Sequence, residues 1–270
     1  MPAPPKDPTA FFAKLDRAEE LIFNLRVAWA DFAIDTDAYP VEFEDDPGGR
    51  TYRLSDALPV PVTMPLIAGD AIHNLRSALD HLAYRLVCVG TNSSGPFDKV
   101  YFPIAKLEKD RKAKLKKLET QLSRIAVKEL EKIEANEGGS DELLWHLHCL
   151  NNIDKHRLLL TVNSQTRMQS MAPSQVRELA KNFLGIASID SEHSHRAFLT
   201  ESWKPAFDLN RGDRLAWVSE ADVQEHMYFH FELAFGEPAA LKGKPVVENL
   251  LNIHHRIRGY FMEFDRLGLL

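Results

Sequence analysis

The stretch from Gly69 to Leu82 constrains the fold most, because its apolar and polar residues separate cleanly at helical spacing. Ile72, Leu75, Leu79, Leu82 and Leu86 form a stripe fit for burial. Asp70, His73, Asn74, Ser77 and His81 line the opposite face, with Arg76 and Asp80 on its flank. A solvated helix face usually carries Lys and Glu. This one carries short, directional hydrogen-bonding groups and two imidazoles, which predicts a face turned to a functional cleft. The helix is expected to begin near Thr63 to Pro65 and to end near Gly90, with Gly95-Pro96 closing the loop after it.

Three more amphipathic segments need partners of the same kind. Asp7-Pro8 reads as the cap and first turn of a helix running to about Ala33, with Phe12, Leu15, Ile22, Leu25, Trp29 and Phe32 on one side. Ser140 caps a helix striped by Leu143, Leu147, Leu150 and Ile153. Gly243 and Pro245 open a last one, with Val247, Leu250, Leu251, Ile257, Phe261, Phe264 and Leu267. None of these can bury its apolar face alone, so a bundle of about four long helices follows.

The remaining segments read as strands. Val41 to Glu44 and Arg50 to Leu54 flank Asp46-Pro47-Gly48-Gly49, a hairpin pattern. Lys99 to Ile104 reads as a short strand or an extended link. Leu158 to Val162, residues 212–218 and the strict alternation at 226–235 predict a small antiparallel sheet. Pro173 to Leu184 predicts a short helix, and Arg196 to Thr200 belongs to the same sheet region. The expected class is α+β. Residues 1–156 form the bundle with a hairpin insertion near 40–56, residues 157–244 a β subdomain, and residues 245–270 a helix returning to the bundle.

Composition narrows the function classes. With 270 residues and a net charge of −6, the surface as a whole does not favour nucleic acid or membrane. Locally, Lys106 to Lys117 holds seven cations against two anions in a stretch whose helical periodicity runs on to about Ile133. It reads either as a solvated charged helix or as a phosphate-contacting strip. No stretch approaches the roughly 20 apolar residues that span a bilayer. Cys88 and Cys149 make no disulfide framework, and a cytoplasmic protein with reduced thiols is expected. No Gly-rich phosphate loop follows a strand, and no Gly-x-Ser-x-Gly elbow is present.

Three segments, His73 to Tyr84, Tyr101-Phe-Pro-Ile104 and Leu143 to Arg157, resemble a widespread family of bacterial cytoplasmic proteins over roughly residues 65–165. Arg76-Ser-Ala-Leu-Asp-His81 also resembles the Arg-x4-His pattern of the HEPN superfamily, with Ser77 where that superfamily often carries Asn, Asp or His. The resemblance implies a helical bundle, a homodimer, RNA as partner, and either RNA binding or metal-independent endoribonuclease activity related to toxins or defence. It places Arg76 and His81 in the cleft.

Such cleavage needs a base, an acid and a cation. Histidine titrates near neutrality, and the guanidinium fork suits phosphate oxygens. The catalytic candidates are therefore Arg76, His81 and, if its helix packs alongside, His156. The substrate-contacting candidates are His73, Asn74, Ser77, Asp80, Asn152, Asp154 and Lys155. On an ideal helix Arg76 and His81 lie about 140° apart, so the arginine must reach around or a second protomer must complete the site.

The same residues have a structural reading. Arg76 and Asp80 are four apart and can pair, as can Ser77 and His81. A non-catalytic ligand- or protein-interaction module is then the alternative. A metal-dependent hydrolase is a third reading, drawing on His73, His81, Asp70, His146 or His156, but no His-x3-His or Cys-x2-Cys spacing supports it. His193, His195, His254 and His255 are expected in a loop and on a helix surface. No metal or cofactor is expected.

Overall fold

A computed structural model describes residues 9–35, 37–157, 162–169, 209–221, 223 and 228–270, with side chains for all of these except 9–11, 34–35, 156–157, 162–169, 228 and 230. The architecture is α+β, as expected. The chain divides into two compact units, one comprising Met1–Trp29, Pro61–Val162 and Phe235–Leu270, the other Ala30–Val60 and Asn163–Ala234.

The first unit is helical. It holds most of α1 (Thr9–Asp35), then α2 (Thr63–Thr91), α3 (Glu108–Glu119), α4 (Arg124–Lys132), α5 (Glu142–Arg157) and α6 (Val246–Arg266). α2 is central, packed against both α5 and α6. Ile72, Leu75, Leu79 and Leu82 are fully buried, and Leu86 nearly so, as the stripe requires. Facing them are Leu144, Leu147 and Leu150 of α5 and Leu250, Ile253 and Ile257 of α6, also buried. Each such side chain contributes about 1.5–3 kcal/mol by leaving water.

α2 stops at Asn92, which takes a left-handed φ of 49°. Asn tolerates this conformation better than other side chains bearing a Cβ. The Asn92 N–H bonds back to the carbonyls of Cys88 and Val89, satisfying open carbonyls of the last turn.

The helix expected to run to about Ile133 is broken into α3 and α4. Ser123 starts the second piece by accepting the Ala126 N–H at 3.1 Å. The break is held close to α2: a Cβ on Gly90 would collide with the carbonyl of Gln121 and the backbone of Leu122. The acids Glu108 and Asp110 in α3's first turn, and Lys116 and Lys117 in its last, complement the helix dipole.

The second unit contains β1 (Val41–Asp46), β2 (Gly49–Leu54), β4 (Arg214–Ser219) and nearly all of β3 (Val162–Gln169) and β5 (Tyr228–Phe235). The hairpin, expected as an insertion in the bundle, is instead two strands of a sheet ordered β1-β2-β4. β2 pairs antiparallel with β4 from Gly49 opposite Ser219 to Arg53 opposite Arg214. An isolated hairpin is marginal in water, and the third strand helps β2 bury Tyr52 and Leu54. Tyr52 meets the rings of Phe43 and Phe229 at 6.0 and 5.2 Å. β3 and β5 form a separate two-stranded sheet.

Lys99 to Ile104 forms no strand: Lys99 takes a left-handed φ of 58° and Ile104 N–H turns back to the carbonyl of Phe102. Of the strand expected at Leu158 to Val162, only Val162 is described, and it opens β3. The readings for Asp7-Pro8, Pro173 to Leu184, His193, His195 and Arg196 to Thr200 lie outside the described residues. Among the described residues no helix is long and apolar enough to cross a membrane.

Candidate functional site

The polar face of α2 divides into a locked edge and an open one. At the locked edge Arg76 is 8% exposed, and its Nη1 donates to Asp80 Oδ1 at 2.6 Å. The same oxygen accepts the Phe102 backbone N–H at 2.9 Å. One carboxylate thus clasps the strap of residues 100–105 to α2. Val100, Phe102, Ile104 and Ala105 are buried along that strap. It is fixed again by Ala105 N–H to the carbonyl of Ala135 at 3.3 Å, and by Lys114 Nζ of α3 to the carbonyl of Ile104 at 2.6 Å.

At the open edge Asp70, His73 and His81 are exposed and Ser77 is half-buried. His73 Nε2 and Ser77 Oγ are 3.4 Å apart. Asn74 is used on both sides: its Nδ2 donates to the carbonyl of Asp70 at 2.8 Å, and its Oδ1 accepts from Lys14 Nζ of α1 at 3.2 Å. Partial burial, and then the Lys14 charge, hold His81 below the ordinary imidazole value against the opposing pull of Asp80. His81 is therefore neutral near pH 7 and able to accept a proton.

α5 supplies a second wall. A Cβ on Gly69 would collide with the Asp154 carboxylate, so this glycine lets the side chain lie against α2. Burial, then Asp70, raises the Asp154 carboxyl, with His73 and Lys155 pulling the other way. Asp70, His73 and Asp154 are thus gathered at one end of the face. Lys155 is exposed. His156 falls in the last turn of α5, and its side chain lies outside the described residues.

One residue beyond the candidates joins this wall. His148 Nε2 pairs with Asn152 Nδ2 at 3.0 Å, and Trp145 stacks on its ring with centroids 5.5 Å apart. Burial first, and then the charges of Arg76, Lys114 and Lys155, push this imidazole down to about 4. Asn152 can only donate from Nδ2, so Nε2 is the acceptor and Nδ1 carries the proton. Nδ1 is buried and has no partner among the described residues. The four-residue spacing of His148 and Asn152 was the available clue, but it resembles any polar pair on a helix flank.

The fold therefore brings Arg76, Asp80, Phe102 and His148 together at one edge, and Asp70, His73 and Asp154 at another. It places His81 beside Lys14 and leaves the Arg76 guanidinium committed to Asp80. His254, expected on a helix surface, is 1% exposed, because α6 turns it toward α1, where Glu19 Oε2 lies 4.0 Å away. Among the described residues no group of three or more His, Cys, Asp or Glu is placed to hold a metal. A shallow hollow on α1, lined by Asp16, Glu19, Glu20, Phe23 and Asn24, shares none of these side chains. Compared with protein-family models, curated proteins and solved structures, the chain matches none.

Proposed function

We propose that this is a HEPN-like RNA-binding protein in which His81 promotes metal-independent strand cleavage. One observation carries the reading. The Asp80 clasp and the Lys114–Ile104 bond tie the locked edge of α2, one residue from His81, to the cation-rich helix α3. Lys109, Lys116 and Lys117 are exposed there, and among the described residues none has a carboxylate within 4.0 Å. Phosphates running along α3 would be led toward His73, Ser77 and His81.

In the reaction neutral His81 takes the proton of an RNA 2′-hydroxyl. The 2′ oxygen attacks the adjacent phosphorus. The 5′ oxygen then leaves with a proton from solvent, giving a cyclic phosphate and a free 5′-hydroxyl. A second copy of the chain would supply the cation that Arg76 cannot, which is the part a homodimer plays in this reading. Free thiols at Cys88 and Cys149 accord with a cytoplasmic setting.

The second reading, a non-catalytic interaction module, is favoured by Arg76 itself: its Nη1 is bonded to Asp80 and its side chain is nearly enclosed. The deciding experiment incubates labelled RNA with chelator and with either wild-type protein or His81→Ala. Cleavage lost in the variant supports the enzyme. Binding without cleavage in the wild type supports the module. No RNA binding at low salt overturns the RNA reading.

A further inference from the structure

Tyr101 is left outside by a strap that otherwise buries itself. It is 60% exposed, while Val100 and Phe102 on either side are buried. Its exposure is not a matter of slack chain. Phe102 N–H is held by Asp80, Ile104 N–H donates to the carbonyl of Phe102 at 2.9 Å, and Lys114 grips the carbonyl of Ile104. Before it, Lys99 adopts a left-handed φ of 58°, a conformation that side chains with a Cβ take at a cost. The backbone thus spends strain to deliver an aromatic ring to solvent beside the polar face of α2.

The surroundings suit a planar anionic chain. Tyr84 lies one helical turn beyond Asp80 on the same face, half-buried, with the ring of Phe97 edge-on to it at 5.9 Å. Exposed Lys99 precedes Tyr101, and exposed Lys109 follows along the chain in α3, while Lys106 between them lies 3.7 Å from Glu137 Oε2. An exposed aromatic ring on a pinned backbone, with lysines along the same stretch of chain, is the arrangement that stacks unpaired bases while cations follow the phosphates. A base inside a duplex is already stacked and cannot use it.

We propose that Tyr101 is a stacking platform for an unpaired base, making single-stranded RNA rather than duplex the preferred ligand. This rests on the RNA-binding reading and adds which form of RNA is bound and where.

The test measures binding of a short unstructured RNA, its duplex and a base-free polyphosphate chain to wild type, Tyr101→Phe and Tyr101→Ala at one salt concentration. Stacking predicts that Tyr101→Phe stays within about twofold and that Tyr101→Ala binds the single strand about tenfold more weakly. Duplex and polyphosphate binding should be unchanged. Melting curves should coincide, because an exposed ring contributes little to the fold. If the wild type binds the single strand and Tyr101→Ala binds it equally well, the platform is overturned while the RNA reading stands. If Tyr101→Ala loses polyphosphate and RNA binding in equal measure, the side chain supports the surface rather than stacking, and the proposal also falls. If the wild type binds no RNA, both fall together.

Discussion

Arg76 and His81 are five residues apart on one helix, yet they live under opposite conditions. Arg76 is nearly enclosed and holds Asp80. His81 faces solvent beside Lys14, with its imidazole held below the ordinary value by partial burial and then by that charge. The contrast teaches that a short motif does not assign one job to both its ends. A cation that holds a carboxylate between two segments is a fastener. An exposed neutral imidazole is available to a ligand. The fastener and the available group can serve one site only through what the fastener positions, here the strap and α3.

The sharpest way to break this distinction is Asp80→Ala. The change removes the acceptor of both Arg76 and the Phe102 N–H, leaving a mostly buried cation and an unpaired amide. Stripping one partner from a buried ion pair costs about 3–5 kcal/mol, and the 27% exposure of Asp80 points to the lower end. Urea denaturation should show a loss of about 3 kcal/mol. A loss below about 1 kcal/mol would mean that the clasp does not hold the strap.

Gly69→Ala is expected to cost less. Alanine gains about 1 kcal/mol over glycine in a helix, but here its Cβ meets the Asp154 carboxylate. Overpacking of this kind costs about 1–3 kcal/mol, so the net change is a loss of about 1 kcal/mol. Adding Asp154→Ala removes the obstacle and should restore the wild-type midpoint. Without that rescue, α2 and α5 do not meet through this pair.

The buried stripe of α2 was legible in the sequence, because burial of Leu and Ile at helical spacing leaves a periodic mark. Those of α5 and α6 were legible in part, since Leu147, Leu150, Leu250, Ile257, Phe261 and Phe264 are buried while Leu143, Ile153, Val247, Leu251 and Leu267 are half-buried and Leu144 and Ile253 take the core positions. The class followed from them. The partnership of the hairpin with β4 was not legible, since nothing in Gly49 to Leu54 names a strand more than 150 residues later. The site was half legible. Residues 70–81 announced a polar face and the spacing of Arg76 and Asp80 allowed their pair, but two contacts were hidden. The Asp80 carboxylate also takes a backbone amide from Phe102, which has no side-chain signature. His254 looked like a surface histidine because His255 beside it is one. Its burial depends on how α6 is rotated against α1, which the local pattern does not set.

Acid should separate the enclosed groups from the open ones. His146, His148 and His254 are all held below the ordinary value, with burial the leading cause in each. The unfolded chain takes up protons near 6.5 that the folded chain refuses, so stability falls as pH drops through that value. For His148 the fall continues to about 4 and then stops. Asp154 acts in the opposite sense, since its raised carboxyl binds a proton more readily when folded. With His81, also held below its ordinary value, four imidazoles outweigh one carboxyl, and denaturation midpoints should decline from pH 7 toward pH 5. His148→Gln should flatten that decline by up to one proton. An unchanged slope would show that the Arg76 and Lys114 side of His148 is wetter than its unpartnered Nδ1 implies.

The smallest effect is also the most telling for the contrast between the two edges. His81 is exposed and has no hydrogen bond to another described side chain. His81→Ala should therefore change the urea midpoint by no more than about 0.5 kcal/mol. In the proposed reaction, by contrast, loss of this base should remove RNA cleavage. Stability lost on the scale of Asp80→Ala would place His81 among the fasteners instead. Both ends of the Arg-x4-His pattern would then be structural, and the open edge would be left to His73 and Ser77.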